Sequence, residues 1–303
     1  MKKYAIILLL LISCNTEEDM PFPFFILDSN EEVTQPPIEQ ILDDYYVGVF
    51  GDSNSIGRTS ETDGQPADLY ANGQLSTVFD NAYNWSGSGW RPHQLNMNIN
   101  GNNTGDNVGG WHSLHRLVYE VLKNNKSKKI HSIMHGMGSQ GTIISNGKLG
   151  RNGTVTQKFI QEINQINHQL DVVFIELLVN DLTNDSDRNA MLLELKLNLE
   201  YYLVNFNSKK IVLLELGAFT TGAIGNRLDP ARIAIADIVA QVNDSRLVIA
   251  SFDPSSTYKS DRIHYDVNGT DRKGFVYYNS VNFSPSPQNT IPNAMGQPII
   301  TQQ

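Results

Sequence analysis

The chain has 303 residues, 40% of them hydrophobic, enough to bury one sizeable core and form one main domain. Its single cysteine, Cys14, excludes an intrachain disulfide framework and a cysteine-based metal cluster. The formal charge is -9, but nine acidic residues and no Lys or Arg fall between Asn15 and Asp44. The remainder is nearly neutral and lacks the basic footprint that nucleic acid requires.

Met1-Lys2-Lys3 supplies a positive start, and Tyr4 to Ile12 an apolar stretch too short to span a bilayer comfortably, so residues 1–13 read as a signal peptide. Leu11-Ile12-Ser13-Cys14 resembles a bacterial lipobox. That resemblance implies a lipidated Cys14 and an exported protein held on a bacterial membrane, periplasmic or at the cell surface; an uncleaved anchor or plain secretion is the alternative. The acidic run after the cysteine resembles surface-export signals, which favours the outer membrane. Residues 14–44 also carry Pro21, Pro23, Pro36 and Pro37, a composition that behaves as an extended tether.

From Tyr45 the pattern changes. Short apolar runs at Tyr46–Phe50, Ile130–Met134, Val172–Val179, Ile211–Leu216 and Leu247–Phe252 read as buried parallel strands. Helical spacing appears at Trp111–Leu122, Thr156–Ile166, Arg188–Phe206 and Pro230–Val242. Right-handed βαβ crossovers then predict an α/β domain over 45–280, a three-layer α/β/α sandwich on a five-stranded parallel sheet. Ligands of such sheets bind beyond the carboxyl ends of the strands. Residues 60–108 are Gly- and Asn-rich with Trp85 and Trp90, and are too long for an ordinary connection. They form either a structured edge insertion or a substrate-facing loop. After Gly274 the chain shows little periodicity, and the tail 281–303 receives no role.

Three strand ends carry polar motifs. The first strand ends in Gly51-Asp52-Ser53-Asn54-Ser55, where glycine permits a tight turn and a serine displayed at a helix start gains a positive electrostatic setting. Asp and Ser at that place also suit a simple N-cap. The third strand ends in Leu178-Val179-Asn180-Asp181, which could equally cap the next helix. After the fifth strand come Asp261-Arg262-Ile263-His264, where the carboxylate can hold one imidazole nitrogen and leave the other facing a nucleophile, or pair only with Arg262. Three such motifs in this chain order, at ends that converge on one rim, make coincidence a poor account.

Over roughly Tyr45 to Tyr278 the sequence resembles the SGNH, or GDSL-like, hydrolases of flavodoxin-like fold. Gly51-Asp52-Ser53 is similar to the family's first block, Asn180-Asp181 to the end of its Gly-x-Asn-Asp block, and Asp261 with His264 to its Asp-x-x-His block. Asn54, Gly110-Trp111, Ile263-His264-Tyr265 and Gly269 further resemble carbohydrate acetylesterases of the sialate O-acetylesterase-like branch. The resemblance implies a Ser53, His264, Asp261 triad and an oxyanion hole of the Ser53 N–H, the Gly138 N–H and the Asn180 amide, with Gly141 as the other candidate glycine. It implies an acylated small molecule or glycan as substrate and no metal or other cofactor. Two positions depart from the pattern: Leu178 stands where the third block usually has glycine, and Val179-Asn180-Asp181 where the acetylesterase branch often has Gln-Gly-Glu.

Other chemistries find less support. Gly51 to Gly57 lacks the Gly-Lys-Ser/Thr ending of a P-loop, and no Gly-x-Gly-x-x-Gly follows the first strand. His112 and His115 read as surface histidines, and His93, His131, His135 and His168 stand alone. The rival reading is a catalytically silent, glycan-binding surface lipoprotein on the same fold.

Overall fold

The structure is a computed structural model that describes residues 42–57, 66–71, 74–94, 113–138, 142–143, 147–183, 188–219 and 222–281. Cys14, Gly141 and His112 lie outside the described residues. In chain order the elements are β1 (Asp43–Asp52), β2 (Tyr70–Ala71), β3 (Gln74–Leu75), a 3-10 helix (Thr77–Asn81), β4 (Ala82–Trp85), β5 (Trp90–Pro92) and α1 (Ser113–Asn124). There follow β6 (Lys128–Met137), α2 (Thr154–Ile166), β7 (Val172–Glu176), α3 (Val179–Thr183), α4 (Arg188–Asn205), β8 (Ile211–Leu214), α5 (Gly222–Val242), β9 (Leu247–Ala250) and α6 (Val267–Ser280).

The five expected parallel strands form, in the order β6-β1-β7-β8-β9. The sheet nevertheless has seven strands, because β4 adds in parallel to the outer edge of β6 and β5 closes antiparallel on β4. Both come from the 60–108 region, whose short strands carry too little periodicity to read as sheet. Trp85 and Trp90 meet edge-on at 5.2 Å, and Trp90 stands 4.7 Å from the His131 ring. Register sets Asn84 beside Ser132, well short of Met137 at the end of β6. These two tryptophans therefore cover the sheet edge below the rim.

Alternation along the central strands explains the layering, since successive side chains leave a strand on opposite faces. Val47 and Val49 of β1, Val172 and Phe174 of β7, and Val212 and Leu214 of β8 share one core with Leu117 and Val121 of α1 and Tyr277 of α6. Tyr46 and Phe50, Val173 and Ile175, and Ile211 and Leu213 share the other with Phe159 of α2, Leu199 and Tyr202 of α4, and Ile235 of α5. Phe174 stacks on Tyr277 at 4.1 Å, and Phe50 on Phe159 at 5.3 Å.

Two helices differ from expectation. α5 runs through Pro230 and begins at Gly222, since one proline removes a single backbone donor and a packed helix tolerates that loss. α6 has no counterpart in the sequence reading. Its buried residues are Val267, Gly269, Thr270, Lys273, Gly274, Tyr277 and Ser280, of which only Val267 and Tyr277 carry large apolar side chains. Asp266 caps it by accepting from the Gly269 N–H at 2.8 Å.

Candidate active site

β1 lies between β6 and β7, where the chain leaves the first strand in one direction and returns on the other side. The crevice beyond the carboxyl ends of strands at such a reversal is where open α/β sheets bind ligands. Ser53 follows the last residue of β1, Gly138 the last of β6, and Asn180 is the second residue of α3, just beyond β7. Asp52 is in register with Met137, and Gly51 with Glu176, so the three segments leave the sheet side by side.

The β1 exit is held tightly. Gly51 has φ +152°, and a Cβ there would lie 1.9 Å from the Glu176 carbonyl oxygen, so only glycine allows this approach. Ser53 to Ile56 then form a turn rather than the helix start expected from the motif. Asp52 stabilises that turn: its Oδ1 accepts from the Asn54 N–H at 3.0 Å, and its carbonyl accepts from the Ser55 hydroxyl at 2.7 Å. Its Oδ2 accepts from the Val179 N–H at 3.3 Å, which joins the turn to α3. Complete burial, with Glu176 close by, raises the Asp52 pKa.

His264 and Asp261 come from the loop after β9. The hydroxyl of Tyr258 accepts from the Ala218 N–H at 2.7 Å, and its ring stacks on Tyr265 at 4.8 Å, which pins that loop to the segment after β8. Arg262 takes φ 59°, and the backbone then folds back so that the Ile263 and His264 N–H groups both donate to Asp261 Oδ1 at 2.9 Å. Asp261 thus engages His264 rather than pairing only with Arg262. Burial pushes the Asp261 pKa up, but the hydrogen bonds from the His264 ring and from the two N–H groups outweigh it and leave it below the ordinary value.

The decisive distances are short. Asp261 Oδ2 lies 2.6 Å from His264 Nδ1, and His264 Nε2 lies 2.9 Å from Ser53 Oγ. A proton on Nδ1 is held by the carboxylate, which leaves the Nε2 lone pair to accept the serine hydroxyl proton. Gly138 and Asn180 are buried at the same rim. Asp181 is buried and accepts from the Ile143 N–H at 3.2 Å, which ties α3 to the segment after β6.

The other histidines are not as the sequence suggested. His115 is buried, with Nδ1 2.7 Å from Nε2 of His93, and His93 stacks on Phe79 at 5.0 Å. His135 meets Glu162 at 3.1 Å, His131 meets Asp44 at 2.9 Å, and His168 stacks on Tyr46 at 4.6 Å. Long-range partners of this kind leave no local trace. Glu176 and Lys273, which belong to no local motif, form a buried ion pair at 2.6 Å directly behind the Ser53 turn.

No protein-family model matches this chain, and no curated protein sequence matches it. Among solved structures, a protein from Arabidopsis thaliana superposes with a TM-score of 0.58 at 16% identity, covering 78% of this chain and 97% of that one. That likeness shows the fold. A lipase/acylhydrolase from Enterococcus faecalis aligns at 14% identity and TM-score 0.47, over 80% of this chain and 100% of its own. An acetylxylan esterase from Geobacillus stearothermophilus aligns at 15% identity and TM-score 0.46, over 81% and 97%.

Proposed function

We propose that this protein is a serine ester hydrolase that removes acyl groups, O-acetyl groups on carbohydrates foremost. The observation that carries the reading is the unbroken chain from Asp261 Oδ2 through the His264 ring to Ser53 Oγ, with links of 2.6 and 2.9 Å. His264 Nε2 takes the hydroxyl proton as Oγ attacks the ester carbonyl, and Asp261, kept ionised by its hydrogen bonds, stabilises the imidazolium. The Ser53 and Gly138 N–H groups and the Asn180 amide receive the oxyanion. Each such donor is worth about 3 kcal/mol of transition-state stabilisation. Collapse expels the alcohol, which takes the proton from Nε2. Water then attacks the acyl-enzyme with the same histidine as base, releasing the acid and restoring Ser53.

The preference for acetylated carbohydrate rests on the sequence around the site, chiefly Asn54 after the serine and Ile263-His264-Tyr265. The same reading includes export and a lipid tether at Cys14, with the acidic, proline-bearing segment as spacer. No helix among the described residues is long and apolar enough to cross a membrane.

Purified protein should release acetate from p-nitrophenyl acetate and from acetylated glycans, and Ser53→Ala should not. Equal release by the two proteins overturns Ser53 as the nucleophile, and no release by the wild type on a broad panel of esters overturns the reading in favour of a silent binding protein.

A further inference from the structure

Behind the Ser53 turn lies a buried charge that the proposed reaction does not use. Lys273, on the concealed face of α6, is 4% exposed, and Glu176 is 3% exposed. The Lys273 ammonium donates to Glu176 Oε2 at 2.6 Å and also to the carbonyl oxygen of Asn54, the residue after the serine. Its third side faces the Tyr265 ring, with Nζ 4.9 Å from the centroid. Asn54 is itself bound on two further sides. Its N–H donates to Asp52 Oδ1, and its side-chain amide donates to the Ile263 carbonyl at 3.2 Å, next to His264.

These contacts involve three of the four segments on which the candidate site is built. Glu176 ends β7 and stands four residues before Asn180; Asn54 belongs to the serine turn; Ile263, Tyr265 and Lys273 belong to the loop and helix that carry and follow His264. We propose that the Lys273 ammonium and the Asn54 amide form a positioning clamp that sets the Ser53–His264 separation. It does so by tying the turn after β1 to the end of β7 and to the loop after β9. Neither residue touches the reacting atoms, so both act through Ser53 and His264. A buried ion pair contributes little net stability once its desolvation is counted, so the role assigned to this one is to fix geometry rather than to stabilise the fold. Here the ammonium also satisfies a buried carbonyl in a turn that has no helix to use it.

The kinetic readout of the clamp rests on the serine-hydrolase reading, whereas its spectroscopic readout does not. The principal variant is the double substitution Lys273→Met with Glu176→Gln, because removing the lysine alone strands a buried carboxylate beside Asp52. With p-nitrophenyl acetate, kcat should fall on the order of 100-fold with KM nearly unchanged, the signature of misplaced reacting groups. Asn54→Ala, which leaves the buried charges intact, should lower kcat about tenfold and serves if the double variant does not fold. The low-field proton resonance of the His264 ring should move in both variants. Lys210→Met is the control: Lys210 donates to the Ser280 carbonyl at the opposite end of α6, and its loss should leave kcat and that resonance as in the wild type. Folded clamp variants with wild-type kcat and an unmoved resonance overturn the inference, as does an equal loss in the Lys210 control. A wild type without esterase activity whose His264 resonance still responds to the clamp variants keeps the clamp and removes the hydrolase reading.

Discussion

Ser53 Oγ and His264 Nε2 lie 2.9 Å apart across 211 positions of sequence. The imidazole reaches the serine because Asp261 grips its far nitrogen and the two adjacent backbone N–H groups at once. Asp261→Asn keeps the size of that partner but offers an amide that cannot stabilise the imidazolium and favours the other tautomer. Loss of kcat on the order of 10⁴-fold is expected, with KM little changed. Steady-state hydrolysis of p-nitrophenyl acetate measures it, and a loss below about tenfold would mean that Asp261 does not serve His264.

Leu178 lies at φ 82° while its side chain is buried at 1% exposure, a conflict between backbone and core at the approach to α3. Such a backbone costs on the order of 1–3 kcal/mol in a non-glycine residue. Leu178→Ala should lose about 2–5 kcal/mol of packing and keep the strain. Leu178→Gly loses slightly more packing but releases the strain. The glycine variant should therefore unfold in urea at the same or a higher midpoint than the alanine variant, the reverse of an ordinary buried position. A clearly lower midpoint for glycine rejects the strain.

His93 is buried, and that burial, with His115 beside it, holds its pKa well below the usual value. An unfolded histidine takes up a proton below pH ~6.5, whereas the folded His93 does not. This contribution to stability is therefore complete above that pH and is lost as pH falls beneath it, with a limiting slope of about 1.4 kcal/mol per pH unit. His93→Gln keeps a hydrogen-bonding group and removes the titration. Its urea midpoint should fall less than that of the wild type as acidity increases from neutral towards pH ~5. Parallel curves for the two proteins count against the mechanism.

Cys14→Ala tests the tether. Fractionation of cells should find the wild type with membranes and the variant in the soluble exported fraction, and unchanged membrane association would exclude the lipid as sole anchor.

The five central strands were legible because a strand buried on both faces must be almost continuously apolar, and Tyr46–Phe50 and Val172–Ile175 show this without any reference to their neighbours. Ser53 and Asn180 stand out as polar residues at the ends of such runs, and Asp261 as a carboxylate three residues before His264 in the loop beyond the last run, although each motif alone also suited a turn, a cap or a local ion pair. What tertiary structure decided lies in residues whose partners are remote. β4 and β5 are too short to show a period and exist through pairing with β6 and with each other. α6 escaped notice because Lys273 and Gly274 occupy its buried face, where a pattern search expects apolar side chains. His93 and His115 could not be paired from a separation of 22 positions. The sequence by itself determined the layered α/β core and the chemical character of the rim, since burial demands apolar periodicity that is written locally. Only the folded chain decided that one ammonium and one carboxylate lie beneath the serine, because burying a charge is tolerable only where a distant partner meets it.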